Sequence, residues 1–74
     1  MDFDRFYSDE YPTMVSLARA ICGDFGLAED LAQEAMTRAH RDWSRVAMYE
    51  RPGAWVRRVT INLAISRRRR LLHE

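Results

Sequence analysis

The sequence predicts an all-α fold, a compact domain of three helices. Glycine and proline divide the chain into three segments, and apolar residues recur at helical spacing within each of them. With 74 residues, the chain makes one small domain that buries only roughly 60% of the surface it exposes when unfolded. A large enclosed active-site cavity is therefore not expected.

The first helix is predicted over residues 2–22 and ends at Gly23. Pro12 lies inside it, where a proline costs about 3 kcal/mol or forces a kink. Either the helix bends near Ser8, or Pro12 opens a second helix at its first position. We favour a bent, continuous helix because the aromatic residues before the proline follow one helical spacing up to Pro12. These residues are Phe3, Phe6, Tyr7 and Tyr11.

The second helix is predicted over residues 27–43, after a turn that contains Gly23 and Gly26. Its inner stripe is mostly alanine, so a neighbouring helix can approach it closely. This stripe consists of Leu27, Ala28, Leu31, Ala32, Ala35 and Ala39. The opposite stripe is wholly polar and follows the i, i+3, i+4, i+7 pattern of one helical face. It consists of Asp30, Gln33, Glu34 and Thr37.

The third helix is predicted over residues 52–72, with Pro52 at its first position. The connection before it, residues 44–51, is longer than two packed helices require, and such loops are often functional. One apolar face of the helix consists of Trp55, Val56, Val59 and Leu63. A second apolar face consists of Ile61 and Ile65. The polar strip between the two faces consists of Arg58, Asn62 and Arg69. A helix apolar on two sides is expected to be central, with neighbours on both.

Charge is divided unevenly along the chain. Residues 1–36 contain eight carboxylates and two arginines, whereas residues 37–74 contain ten arginines and three carboxylates. All twelve basic residues are arginine, whose planar fork binds phosphate and base edges in pairs. The net charge of +1 conceals an acidic half and a basic half. This division suggests an adaptor between a cationic protein and a nucleic acid.

Several other classes of protein are not expected. No apolar run approaches the roughly 20 residues that a bilayer requires, and the acidic, aromatic start is unlike a secretory signal. Membrane insertion is therefore not expected. The single cysteine, Cys22, cannot form an internal disulfide, so the cytoplasm is the expected compartment. His40 and His73 make no metal-ligand set of known spacing with it, and no catalytic or phosphate-binding motif is present. Neither catalysis nor a cofactor is expected.

Two motifs are specific enough to suggest a family. AEDLAQEAM stands at residues 28–36, and PGAWVRRVTINLAISRRRR follows at residues 52–70. Together they resemble region 2 of bacterial sigma factors of the extracytoplasmic-function group, over roughly residues 3–70. An AED-L-x-QE helix followed at this distance by a P-x-x-W-V helix is hard to produce by amphipathic patterning alone. The family often has Phe where Met36 stands and Asp where Ser66 stands.

The resemblance implies a transcription initiation factor that binds RNA polymerase core and promoter DNA. It implies docking of the second helix on the clamp helices of the polymerase's largest subunit, through Asp30, Gln33, Glu34 and Thr37. The family's second helical domain, which reads the upstream promoter element, is expected to be absent from this chain. Residues 1–74 are then a single region 2 domain. Anti-sigma proteins commonly hold family members inactive, so such a partner is expected.

The resemblance also assigns the third helix and the loop before it to recognition and melting of the minus-ten element, through its non-template single strand. Residues 44–51 are the candidate pocket for an extruded base, with Met48 and Tyr49 able to face it. Arg58 and Asn62 match the family's positions for base and backbone contact. The other arginines assigned to DNA, mostly as phosphate ligands, are Arg45, Arg51, Arg57, Arg67, Arg68, Arg69 and Arg70.

Two alternatives remain open. One is a helical interaction domain that holds a regulatory helix, with the arginines only solubilising it. Its exposed apolar ridge would be Ile61, Ile65, Leu71 and Leu72. The other is a helix-turn-helix binder of duplex DNA, but the last two helices lack the required turn of three or four residues. Trp55 is expected in the core, whereas Trp43 lies either in the core or against DNA.

Overall fold

The computed structural model describes residues 1–73; the predicted domain range also includes Glu74, which lies outside them. The helices are α1 (Phe3–Cys22), α2 (Phe25–Arg41), the single-turn α3 (Trp43–Val46) and α4 (Pro52–His73). α1 packs against both α2 and α4, and α2 also contacts α4. The prediction of an all-α domain is confirmed. The sequence did not predict the short helix α3.

Capping interactions define both ends of α1. The Asp2 carboxylate accepts a hydrogen bond from the backbone N–H of Arg5 at 2.8 Å, and Gly23 ends the helix with a φ of 75°. Glycine adopts this left-handed conformation without steric cost. Helix α1 is continuous through Pro12, so a second helix starting at Pro12 is excluded. Ser8 and Pro12 are both exposed, so water can satisfy the Ser8 carbonyl, whose usual donor the proline lacks.

Helix α2 starts and ends two residues earlier than predicted. Asp24 caps its start, because its carboxylate accepts from the backbone N–H of Leu27 at 2.8 Å. At the other end the backbone leaves the helical conformation at Asp42, with φ −104° and ψ 23°. The Asp42 carbonyl then accepts from the N–H of Val46 at 2.9 Å. The helix, predicted to end at about Trp43, therefore ends two residues earlier, and Trp43 begins α3.

The core lies between α1, α2 and α4. The predicted inner stripe of α2 is buried at Ala28, Leu31, Ala32, Ala35 and Ala39, and half-buried at Leu27. Helix α1 contributes Phe6, Met14, Val15 and Ala18, and α4 contributes Val56, Thr60 and Ala64. Because alanine adds little bulk, its neighbours can lie close to the α2 backbone. The prediction of close helix packing along this stripe is confirmed.

Helix α4 has two helical neighbours, α1 and α2, as predicted, but its second predicted apolar face is not buried. Its buried face is centred on Thr60, whereas Ile61 is half-buried and Ile65 is exposed. Among residues 1–73, α1 packs against α2 and α4 more extensively than these two helices pack against each other. Thr60 enters the core because its hydroxyl donates to the Val56 carbonyl at 2.8 Å, which satisfies the buried polar group.

Trp43 belongs to an aromatic cluster at the edge of the core. Its ring centroid lies 5.3 Å from that of Phe3 and 4.8 Å from that of Phe6. Aromatic pairs at such distances contribute about 0.5 to 1.5 kcal/mol beyond the area they bury. Trp55 is half-buried against the same core, as expected from the sequence. Both tryptophans therefore help to hold the helices together.

An ion pair joins α1 to the start of α4. The Arg57 guanidinium donates to the Glu10 carboxylate, and the side chains are 38% and 19% exposed, respectively. Gly53 lies against this pair, so close that a Cβ there would come within 2.5 Å of a Glu10 carboxylate oxygen. The lack of a side chain at Gly53 therefore makes room for the ion pair.

We expect Arg57→Ala to lower the free energy of unfolding by about 1 to 2 kcal/mol, because Glu10 loses its partner in a partly desolvated position. The loss is smaller than for a buried pair, since solvent screens the exposed part of Arg57. Urea unfolding followed by circular dichroism measures the change. The matched control is Arg58→Ala at the exposed neighbouring arginine, with an expected change below about 0.5 kcal/mol. Equal losses from the two substitutions would contradict a structural role for the pair.

Candidate functional site

The polar stripe of α2 faces outward along its whole length. Asp30, Gln33, Glu34 and Thr37 are all exposed. The alanine-rich stripe on the other side of the helix is buried, and this burial turns the polar residues away from the core. The structure thus brings onto one surface the four residues for which the family resemblance implies protein docking.

Two tyrosines of α1 hold the amide of Gln33. Its Nε2 donates to the hydroxyl oxygen of Tyr7 at 2.7 Å and lies 3.4 Å from that of Tyr11. The two tyrosine rings are stacked, with centroids 5.1 Å apart and planes 8° from parallel. An exposed glutamine side chain is therefore held in one orientation. Both tyrosines belong to the aromatic stripe seen in the sequence, but helical spacing gives no sign of their hydroxyl contacts.

The other residues of the stripe make local contacts within α2. The Thr37 hydroxyl donates to the Gln33 carbonyl at 2.9 Å, one turn earlier. Glu34 forms an ion pair with Arg38 at 3.3 Å, and both side chains are about half exposed. Such i, i+4 surface pairs contribute only about 0.3 to 0.5 kcal/mol. A binding partner can therefore displace Arg38 from Glu34 at little cost.

The irregular part of the connection between α2 and α4 is shorter than predicted, because α3 forms within the connection. Ser44, Arg45 and Val46 belong to α3, so the predicted loop over residues 44–51 is wrong for its first three residues. Val46 is wholly buried and fixes α3 to the core. Arg45 is exposed and pairs with Asp42 at 3.3 Å. The exposed tip is confined to residues 48–51.

The tip presents one aromatic and one thioether side chain. Met48 is 83% exposed and Tyr49 is 38% exposed. The Tyr49 ring packs on Trp55, with centroids 5.9 Å apart. Because Trp55 packs against the core, it holds the partly exposed Tyr49 ring at the surface of the domain. Arg51, next to α4, is also exposed.

The arginines of α4 fall into two groups. Arg57 is held in the ion pair with Glu10, whereas Arg58 is exposed, one turn before the exposed Asn62. Near the end of the helix, Arg68, Arg69 and Arg70 are exposed, and Arg67 is half-buried. Successive helical residues point about 100° apart, so these four arginines surround the end of α4 with positive charge.

Further properties concern metals, membranes and the thiol. Among residues 1–73, no group of three or more histidine, cysteine or carboxylate residues is placed to hold a metal ion. Over the same part of the chain, no helix is long and apolar enough to cross a bilayer. The half-buried Cys22 thiol lies 3.6 Å from the Ala64 carbonyl.

The candidate site has three parts. They are the α2 stripe, the connecting tip at residues 48–51 and the arginines of α4.

The chain is similar to known proteins along most of its length. The family model described as Sigma-70 region 2 matches residues 6–72. A protein of Xanthomonas campestris pv. campestris named "Probable RNA polymerase sigma factor RfaY" is 42% identical over 55 residues. This alignment covers 70% of the present chain and only 13% of that relative's length. No solved structure matches the chain significantly.

Proposed function

Because this chain belongs to the sigma-70 region 2 family, we propose that it is a transcription initiation domain that binds RNA polymerase core and promoter DNA. Its specific task is to recognise and melt the minus-ten element through the non-template single strand. One observation carries this proposal: a single small domain presents an exposed polar stripe with two carboxylates on α2 and an arginine-rich surface on α4. The first surface complements a cationic protein, and the second a polyanion.

The proposal also covers how far the domain extends along the chain and which group of sigma factors it belongs to. Residues 1–74 form one region 2 domain of the extracytoplasmic-function group. The match over residues 6–72 and the two motifs within that range, at residues 28–36 and 52–70, support this assignment.

The polymerase-binding surface is the α2 stripe. Its exposed carboxylates, Asp30 and Glu34, lie one turn apart on α2, and the oriented amide of Gln33 lies beside them. Arginines of the clamp helices in the polymerase's largest subunit are the proposed partners, because guanidinium groups pair with carboxylates through short, charge-assisted hydrogen bonds. Thr37 extends the surface by one turn.

We expect the combined substitution Asp30→Arg and Glu34→Arg to weaken binding to a clamp-helix fragment by about 10-fold or more, because it places like charges against each other. Fluorescence anisotropy with a labelled fragment measures the affinity, and circular dichroism confirms folding. Both positions are exposed and off the core, so the fold should be retained. Glu29→Arg is the matched control, since Glu29 is an exposed carboxylate of α2 outside the stripe. Unchanged binding in a folded double variant would contradict the docking assignment.

The DNA-binding surface combines the tip at residues 48–51 with α4. Extruding a base costs a few kcal/mol in lost stacking and pairing. Stacking on Tyr49 would return about 1 to 3 kcal/mol per base. Arg58 and Asn62 contact base edges and backbone, while the arginines at the end of α4 bind phosphate without sequence preference. Arg57 has a structural role in this proposal, because Glu10 engages its guanidinium.

A second candidate function is the binding of a regulatory helix from an anti-sigma protein. The exposed apolar side chains of Ile65, Leu71 and Leu72 favour it, since such surface often marks a protein interaction site. The two functions are compatible. A helix seated on these residues would also cover the neighbouring arginines and so prevent DNA binding.

A further inference from the structure

A cleft between α1 and α2 lies directly beside the α2 stripe. It is open to solvent and has a volume of about 280 Å³. Its lining residues are Phe3, Asp4, Tyr7, Gln33, Met36, Thr37 and His40. Clefts for drug-sized ligands occupy roughly 300 to 1,000 Å³ and enclose most of the ligand. This smaller, open cleft therefore suits a single protruding side chain better than a small molecule.

The walls of the cleft are suited to a cation. The ring of Phe3 lies 4.7 Å from that of His40 and 6.2 Å from that of Tyr7, measured between centroids. Aromatic faces attract guanidinium and ammonium groups through their negative potential. The exposed carboxylate residue Asp4 also lines the cleft. Aromatic rings and a carboxylate together favour a positively charged occupant.

The polar groups of the cleft favour arginine in particular. The Nε2 of Gln33 donates to Tyr7, so its Oε1 is the amide atom that remains to accept from a partner. The Thr37 hydroxyl donates within its own helix, which leaves its oxygen available as an acceptor. With the Asp4 carboxylate, the cleft thus offers several acceptors. A guanidinium group carries five N–H donors in a flat fork and can satisfy several acceptors while stacking on a ring.

We propose that this cleft receives one arginine side chain of the polymerase, so that the docking surface includes Asp4 and Tyr7 of α1 as well as the α2 stripe. The inference rests on the proposed docking of α2 on a cationic partner. Tyr7 contributes twice, because its ring lines the cleft and its hydroxyl orients Gln33. The net acidic character of residues 1–36 supports a cationic occupant over an acidic or apolar one.

The test measures the affinity of the 74-residue chain for a clamp-helix fragment. Asp4→Asn, which keeps the shape of the exposed side chain, is expected to weaken binding about 3-fold. Tyr7→Leu, which removes the ring, is expected to weaken it about 10-fold. Asp9→Asn is the matched control, because Asp9 lies on α1 outside the cleft and forms a surface ion pair with Arg5 at 3.7 Å. We expect no measurable change in affinity for this control.

A double-mutant cycle identifies the occupant. Each arginine of the fragment is replaced by alanine in turn, and the effect of Asp4→Asn is measured again. We expect this effect to vanish for one arginine, the one that fills the cleft. If Asp4→Asn matches Asp9→Asn, or if its effect survives every arginine replacement, the cleft is not the receptor. Because Asp4→Asn leaves the core untouched, that result would stand even if Tyr7→Leu failed to fold.

The same experiment separates this inference from the proposed function. If the unmodified chain binds the fragment and the Asp30 and Glu34 reversal abolishes binding, docking is supported whatever the Asp4 variant does. Loss of the Asp4 effect alone would then overturn only the cleft assignment. Failure of the unmodified chain to bind the fragment would overturn both.

Discussion

Replacing residues 48–51 with a Gly/Ser segment of equal length is expected to abolish the preference of the domain for one minus-ten sequence over another. The replacement removes the Tyr49 ring and the Met48 side chain, on which an extruded base would stack. Weak, salt-sensitive binding through the arginines of α4 should remain. The measurement is fluorescence anisotropy at low salt, with matched and mismatched non-template oligonucleotides and with the same sequences as duplex.

The buried position of Val46 determines how this experiment is built. A replacement starting at Ser44 would remove a wholly buried side chain, and a loss of binding could then reflect unfolding. Glu50→Ser is the matched control within the tip, because it leaves Met48, Tyr49 and Arg51 in place.

The unmodified domain should bind single strand better than duplex, since the single strand has already lost the pairing that extrusion must break. Stronger binding to duplex, or a sequence preference that survives the replacement, would favour the helix-turn-helix or interaction alternative.

The combined substitution of Arg68, Arg69 and Arg70 by alanine is expected to weaken binding of all single strands alike. Each phosphate contact on single-stranded DNA contributes about 0.7 to the slope of log affinity against log salt, so the slope should fall by about 2. Titrations between 50 and 200 mM salt measure this slope. Over that interval the affinity of the unmodified domain should fall roughly 20-fold more than that of the triple variant. The three side chains are exposed, so the fold should be retained.

Asn62→Ala provides the contrasting control on the same helix. Asn62 carries no charge, so the salt slope should stay the same while discrimination among minus-ten sequences falls. If Asn62→Ala and the triple arginine variant produced equal, sequence-independent losses, Asn62 would have no role in specificity. If the triple variant left the slope unchanged, the end of α4 would not be the phosphate-binding surface.

Local chemistry explains why the sequence was sufficient for much of the fold. The polar and alanine-rich stripes of α2 follow directly from helical spacing. The predicted polar residues are all exposed, whereas the predicted inner stripe missed the buried Met36 and included Leu27, which is half-buried. The N-caps at Asp2 and Asp24 and the glycine at position 23 each act on a few neighbouring residues. The predicted limits of α1 and α2 accordingly fall within two residues of the observed ones.

The sequence was less informative where long-range packing chooses between similar residues. Arg57 and Arg58 are adjacent and chemically identical, yet only Arg57 meets Glu10, which is 47 positions away. Ile61 and Ile65 form an apolar row that is indistinguishable by pattern from a buried one. Ile65 is exposed and Ile61 only half-buried because the face of α4 that meets α1 and α2 is the one with Val56, Thr60 and Ala64.

By itself the sequence determined the all-α class, the faces of α2 and the resemblance to sigma factor region 2, because helical period, capping and motif spacing are properties of neighbouring residues. Only the tertiary structure decided that Val46 anchors α3, that Trp43 joins the aromatic cluster and that Tyr7 orients Gln33. These contacts depend on how separate helices dock. A hydroxyl and an amide 26 positions apart meet only when α1 and α2 pack side by side, and no local pattern specifies that meeting.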